Sequence, residues 1–321
     1  MSNVHFLTSK FSERRASHRL RGRLISEELK KRNISSTIGT NTTHLKENDI
    51  AVWIKFSQLE NILESKRKKA ITVFDICDNK FDEDDALLPC AIEADYITCN
   101  SRTMADEILN RTGKIATVIP DPVERPVLTP EFSPGKTIKI LWFGSNSSLG
   151  YVNWTEIWSF LERNIGRYKL SIVTGKAKRF EEKTRQRLKN PDHQFVNMDK
   201  INFVEWNWET QGHYLKDTDI VLIPVEENYR TITKSSTRLI DSLISGKFVI
   251  TSRLQSYDEF KDFIWTKNYA KGIAWALDKH NRKHILEMIS NGQKYVVENY
   301  SVEKITDKWC NFFKSIKHDF N

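Results

Sequence analysis

The sequence predicts an α/β protein of two domains, each built on a parallel sheet. Short apolar, β-rich runs alternate with helical stretches along the chain, the pattern of strands joined by crossover helices. The 321 residues are too many for one ordinary core and suit two domains. Four prolines between Pro120 and Pro130, with Pro134 just after, mark a linker by composition alone.

In chain order, residues 4–7 read as the first strand. In residues 12–33 (SERRASHRLRGRLISEELKKRN) Leu20, Leu24, Ile25 and Leu29 then fall on one helical face, with Arg19, Arg23, Lys30 and Lys31 on others. A strand at 50–55 (IAVWIK), a helix at 56–68 and a strand at 70–75 (AITVFD) form the next unit. The segment FDICDNKFDEDD puts Asp75 and Asp78 just past a strand's carboxyl end, where open α/β sheets bind ligands. Asp82, Glu83 and Asp84 in the same segment are read as a solvated acidic loop, because no apolar strand immediately precedes them. A strand at 94–99 (ADYITC), a helix at 102–110 and a strand at 116–119 lead to the linker.

Beyond it, the strand 139–143 (KILWF) runs into GSNSSLGYVNW, where Gly144, Ser145 and Asn146 can approach phosphates through backbone and hydroxyl groups. Residues 168–173 are a strand, 176–190 a charge-rich helix or exposed loop, and 201–205 (INFVE) a strand followed by Trp206. The densest signal lies between Asp219 and Ser252. Val221, Leu222, Ile223 and Pro224 form an apolar run too short for a helix. Leu239, Ile240, Leu243 and Ile244 recur at helical spacing, ahead of Gly246 and a second apolar run at 248–250. Lys234, Ser235 and Ser236 sit where the loop meets this helix, so backbone N–H groups, hydroxyls and an ammonium can converge on an anion such as a diphosphate. Asp241 can accept hydrogen bonds from a ribose. In the final helix, Trp309, Phe312, Phe313 and Ile316 form an apolar stripe suited to docking.

The charge is uneven. Residues 1–69 hold 15 Lys+Arg against 7 Asp+Glu, so the whole formal excess of +8 lies in the first fifth of the chain. Such a face suits nucleic acid, an anionic membrane surface or a phosphorylated acceptor, or is simply solvated. None of the usual nucleic-acid-binding motifs is present, which counts against the first. No apolar run approaches the roughly 20 residues of a membrane span, and the N-terminus has no signal-peptide core, so a cytoplasmic protein is expected. Cys77, Cys90, Cys99 and Cys310 show no metal-ligand spacing and are expected to be free thiols.

The order of aspartate, apolar strand, Pro, variable loop, Lys-Ser, helix with an acidic residue five before Gly, and apolar strand resembles the donor site of GT-B glycosyltransferases of the group-1, family-4-like class. The run ADYITCNS followed by VIPDPV resembles the family's segment near the end of its first domain. That resemblance implies two Rossmann-like domains facing a central cleft. An N-terminal acceptor domain would span 1–134 and a C-terminal donor domain 135–300, with a helix at 301–321 crossing back to the first. It implies transfer of a hexosyl group from a nucleotide-sugar to a hydroxyl of a glycan or lipid-linked acceptor, in surface polysaccharide or glycoconjugate assembly. Retention is favoured, and no metal or cofactor is required. The second Glu of the family's Glu-x7-Glu motif falls on Asp241 and the first on Thr233. The Arg and Lys that clamp the diphosphate in many relatives have no counterpart between Gly144 and Trp154, so Lys234 and Arg238 would supply that charge beside Ser235. Trp206 or Asn207 would border the base. Ser17, Arg19, Arg21 and Asp75 would meet the acceptor, and Asp78 would orient its hydroxyl or act as base, with Lys234 as the other catalytic group. The missing Glu and loop cations also fit a catalytically inactive GT-B relative with a binding or regulatory role.

Overall fold

Among the described residues, twelve strands form two sheets, and every strand pairing in both is parallel. A sheet covered on both faces needs strands that are apolar throughout. β3 (Ile50–Ile54, IAVWI) and β10 (Ile220–Ile223, IVLI) have that character, with each residue 2% exposed or less. The computed structural model describes residues 3–317 except 56–57, 146–147, 149–151, 153, 164–166, 188–195 and 267. The chain divides into two compact units, one of Met1–Glu124, Ile232–Ser236 and Glu298–Asn321, the other of Arg125–Thr231 and Thr237–Val297.

In the first unit, β1 (Val4–Leu7), β2 (Ser36–Gly39), β3, β4 (Ile71–Ile76), β5 (Tyr96–Cys99) and β6 (Ala116–Val118) are arranged in the order β2-β1-β3-β4-β5-β6. In the second, β7 (Ile138–Gly144), β8 (Tyr168–Thr174), β9 (Ile201–Glu205), β10, β11 (Phe248–Thr251) and β12 (Trp265–Thr266) run β12-β11-β10-β7-β8-β9. Strand order therefore reverses between β1 and β3 in one sheet and between β7 and β10 in the other. Crevices open at such switch points, beyond the carboxyl ends of the strands.

The last helix, Val302–Ile316, packs on the first sheet, as its apolar stripe requires. Ile305, Trp309 and Phe313 are fully buried, and Trp309 meets Phe6 of β1 edge-on at 5.8 Å. In the second unit, the helix Thr237–Ile244 ends at Gly246, whose φ of +67° is the left-handed conformation of a helix C-cap. A Cβ there would also lie 2.8 Å from the Thr129 carbonyl oxygen, so a side chain is excluded by conformation and by space. Gln293 Nε2 donates to the orphan Ile244 carbonyl at 2.8 Å, closing that helix end.

The first helical stretch departs from the expected pattern. Its opening, His18–Arg23, is a π-helical turn, closed by the Leu24 N–H donating to the Arg19 carbonyl, and only Leu24–Lys31 is α-helical. The extra residue per turn shifts the phase. Arg19, assigned to an outer face by 3.6-residue spacing, is 7% exposed, and Arg21 is 1% exposed. The short edge strand β2 was not foreseen; its sequence, STIG, lacks the apolar run of its neighbours.

Arg21 sits at the centre of the first unit. Its Nε and Nη2 donate to the two carboxylate oxygens of Asp75 at 2.5 and 2.6 Å. Nη1 donates to the Ile119 carbonyl at 2.6 Å and to Asp121 at 3.1 Å, and the guanidinium lies 5.3 Å from the Trp309 ring centre. Thr98 Oγ1 donates to Asp75 Oδ1 at 2.7 Å. Burial by itself would lower the Arg21 pKa, but Asp75, Cys77 and Asp121 more than offset it and hold the group charged. Asp75→Asn leaves that charge buried without its bidentate partner. It is expected to destabilise the first unit by about 3–5 kcal/mol, read as a lower urea midpoint.

Candidate functional site

The loops at each switch point carry the polar groups that the cores leave unused. In the first unit, Thr8 follows β1 and Lys55 follows β3 in a left-handed conformation, φ 63°. Buried His18 bridges the loop after β1. The Ser12 N–H donates to its Nδ1 at 3.0 Å, so the ring proton lies on Nε2, which donates to Thr8 Oγ1 at 3.1 Å. Burial, then the charges of Arg15 and Lys55, push the imidazole down to about 4, so it is neutral at pH 7.

Lys55 forms an ion pair with half-buried Asp78 in the loop after β4. Burial would raise the Asp78 carboxyl, but Lys55 first, then Lys234 and Lys80, pull it below the usual carboxylate range. Beside it, Asn100 Nδ2 donates to the Cys77 carbonyl at 3.0 Å, while Asn100 Oδ1 is buried with no hydrogen-bond partner among the described residues. Two hydroxyls tie the segment 232–236 to this unit: Ser101 donates to the Thr233 carbonyl at 2.9 Å and Thr103 to the Ile232 carbonyl at 2.8 Å. Lys234 and Ser235 are half-buried in that segment.

The residues expected at the acceptor fare differently. Ser17 opens the π turn, half-buried and without a side-chain capping bond. Arg19 is paired with Glu124, with Nε–Oε2 2.9 Å and Nη2–Oε1 2.7 Å, and Arg21 is paired with Asp75. A π turn and a core carboxylate draw both arginines inward.

In the second unit, Gly144 ends β7 and Ser145 follows, its hydroxyl 3.0 Å from that of Ser148; Asn146 lies outside the described residues. Trp206 is half-buried after β9, its Nε1 donating to Gln211 Oε1 at 2.7 Å. Asn207 caps the helix Trp208–Lys216 by accepting from the Thr210 N–H at 2.7 Å. Asp241 lies on the second turn of the helix Thr237–Ile244, 3% exposed.

Arg238, on the first turn of that helix, is the unusual group. The side chain as a whole is partly exposed, but Nη1 is buried with no hydrogen-bond partner among the described residues, and a Cβ built on Gly144 would lie 3.5 Å from it. Burial lowers the guanidinium pKa, and the nearby Tyr257 phenol opposes that. Among the described residues no carboxylate pairs with Arg238. A cation turned to a glycine at the end of a parallel strand is suited by charge to an anion. His18, Lys55, Asn100 and Tyr257 were not singled out from sequence; each owes its place to contacts distant in the chain.

No protein-family model matches the chain, and no curated protein matches it in sequence. In three dimensions it is similar to Anabaena HepE in complex with UDP-glucose, with 12% identity and TM-score 0.73 over 98% of this chain and 100% of that one. It is also similar to a glycosyltransferase from Rickettsia africae, with 12% identity and TM-score 0.70 over 99% of each chain. A third similar structure is the lipopolysaccharide outer core galactosyltransferase WaaB, with 13% identity and TM-score 0.63 over 98% and 99%. The chain has the GT-B glycosyltransferase fold.

His18 makes the first unit sensitive to acid. Its folded pKa lies below the unfolded value, so the native state binds fewer protons than the unfolded chain between those values. Its contribution to stability is full above about 6.5 and is lost as pH falls towards about 4. His18→Asn, which keeps a donor and an acceptor but does not titrate, should show a shallower fall of the urea midpoint between pH 6.5 and 4 than the native chain.

Proposed function

We propose that the chain is a glycosyltransferase that moves a hexosyl group from a nucleotide-sugar to a hydroxyl of a glycan or lipid-linked acceptor, in surface polysaccharide or glycoconjugate assembly. The observation that carries this reading is Arg238: a buried, uncompensated guanidinium nitrogen beside Gly144, at the switch point of a GT-B sheet. One similar structure holds UDP-glucose and two are named as glycosyltransferases, so a UDP-sugar is the first donor to test.

In this reading the second unit holds the donor. Arg238 and the Gly144–Ser145 turn take the diphosphate, Asp241 the ribose and Trp206 the base. Charge gathered on the departing diphosphate is stabilised by Arg238. The first unit receives the acceptor. Asp78, kept ionised by Lys55, accepts a hydrogen bond from the attacking hydroxyl and orients it. Ser17 lines the acceptor's approach. The basic excess before residue 70 suits an anionic membrane surface at the inner face, where a lipid-linked acceptor would lie. Retention of configuration follows from the likeness to the family-4-like class. A binding-only relative is favoured by one feature, Thr233 at the first Glu position, 1% exposed and fixed through its carbonyl to Ser101. Release of UDP from UDP-glucose by the purified chain separates the two.

Arg238→Gln should raise the UDP dissociation constant at least tenfold, about 1.4 kcal/mol. Because it removes a buried cation that has no carboxylate partner, it should leave the melting temperature unchanged or raise it. Calorimetric titration beside a thermal melt measures both, and an unchanged UDP affinity would remove Arg238 from the donor site. Asp78→Asn should cut turnover by ten- to a thousandfold while UDP affinity stays within a factor of about three, or 0.65 kcal/mol.

A further inference from the structure

With Trp206 at the base, Asp241 at the ribose and Arg238 at the diphosphate, the sugar of the donor extends beyond all three. Strand order gives its direction. Trp206 follows β9 and Gly144 ends β7, two strands away in the order β10-β7-β8-β9, which spans about 10 Å of sheet. The next strand in the same direction is β10. Its last register pair with β7 joins Val221 to Leu141, and Pro224 and Gly144 each lie three residues further on. The loop 225–231 therefore leaves β10 beside the diphosphate turn. It presents an aromatic ring: Tyr229 is 47% exposed. The backbone around that ring is fixed. The Val225 N–H donates to Ser252 Oγ at 2.7 Å, and Asn228 Oδ1 accepts from the Arg230 and Thr231 N–H groups at 3.0 and 3.2 Å. Buried Thr231 donates through Oγ1 to the Glu226 carbonyl at 2.6 Å, and Arg230 Nε donates to the Tyr229 hydroxyl at 2.8 Å. A ring held in this way offers a flat face with little freedom left to lose on binding.

We propose that Tyr229 is a specificity-determining residue whose ring stacks on the hexosyl group of the donor. The inference rests on the reading of the second unit as the nucleotide-sugar site and names the contact of the transferred sugar within it. A pyranose has C–H bonds on its faces and hydroxyls around its rim, so an amphipathic ring matches it better than an aliphatic chain does. Glu226 and Glu227 are exposed on the same loop, and carboxylates accept hydrogen bonds from such a rim. The same two carboxylates repel a phosphate. Charge thus sorts the crevice, with the diphosphate drawn to Arg238 and the uncharged sugar left to the loop.

The test is calorimetric titration of UDP and of UDP-glucose into the native chain, Tyr229→Leu and Tyr229→Phe, with a thermal melt for each. Tyr229→Leu keeps apolar bulk and removes the flat face; Tyr229→Gln carries the same expectation and stands in if the Leu variant does not fold. The expected result for Tyr229→Leu is a UDP-glucose affinity about three- to tenfold weaker, with UDP affinity and melting temperature unchanged. Tyr229→Phe, which keeps the ring, should bind UDP-glucose as the native chain does. Absence of UDP binding to the native chain would overturn the reading of the second unit as a UDP-sugar site. Native binding of UDP but not of UDP-glucose, or UDP-glucose binding that Tyr229→Leu leaves unchanged, would overturn the role of Tyr229 alone. So would an equal loss for both ligands, which assigns the ring to the nucleotide, or a loss as large in Tyr229→Phe, which assigns the contact to the hydroxyl.

Discussion

The first unit depends on one buried ion pair. Arg21, carried inward by a π turn, is bonded to β4 through Asp75, to the segment after β6 through Ile119 and Asp121, and faces the Trp309 ring of the last helix. Four stretches far apart in the chain meet on one guanidinium. Desolvating two charges is expensive, and an apolar replacement could match the stability. What an apolar group would not supply is direction: the fork of the guanidinium fixes the loop after β1 and the base of the Asp78 loop in one register. Asp78 is three residues beyond Asp75, so the ion pair in the core sets where the candidate catalytic carboxylate emerges.

Parallel sheets impose the second constraint. All strand ends of one polarity lie at one edge, and reversal of strand order opens that edge at one point. In the first unit the groups at that edge are a neutral histidine, a lysine–aspartate pair and an asparagine with a spare carbonyl oxygen. They can orient a hydroxyl and tolerate a negative charge nearby. In the second, the groups are an arginine and the turn after β7, whose charge suits an anion. The two arginine environments differ in how burial is compensated. Arg21 is matched internally and is structural; Arg238 is left charged, and a ligand can supply the match.

Sequence by itself determined the α/β class, the parallel sheets and the position of most strands along the chain. These rest on local signals: apolar runs of strand length, helical spacing, and Gly246 at a helix end, all set by residues close together in the chain. It also brought forward Asp78, because a carboxylate past a strand end is legible from neighbours alone, while Arg238 entered only through the family resemblance. Tertiary structure decided what those groups do and which others join them. The wheel that placed Arg19 outside assumed 3.6 residues per turn, and the π turn, whose Arg21 bonds Asp75 more than fifty residues away, changed the phase. Lys55 became a partner of Asp78 because adjacent parallel strands bring loops from distant positions to one edge. Pairing across such separations depends on strand order and burial, and neither is written in any single stretch of the chain.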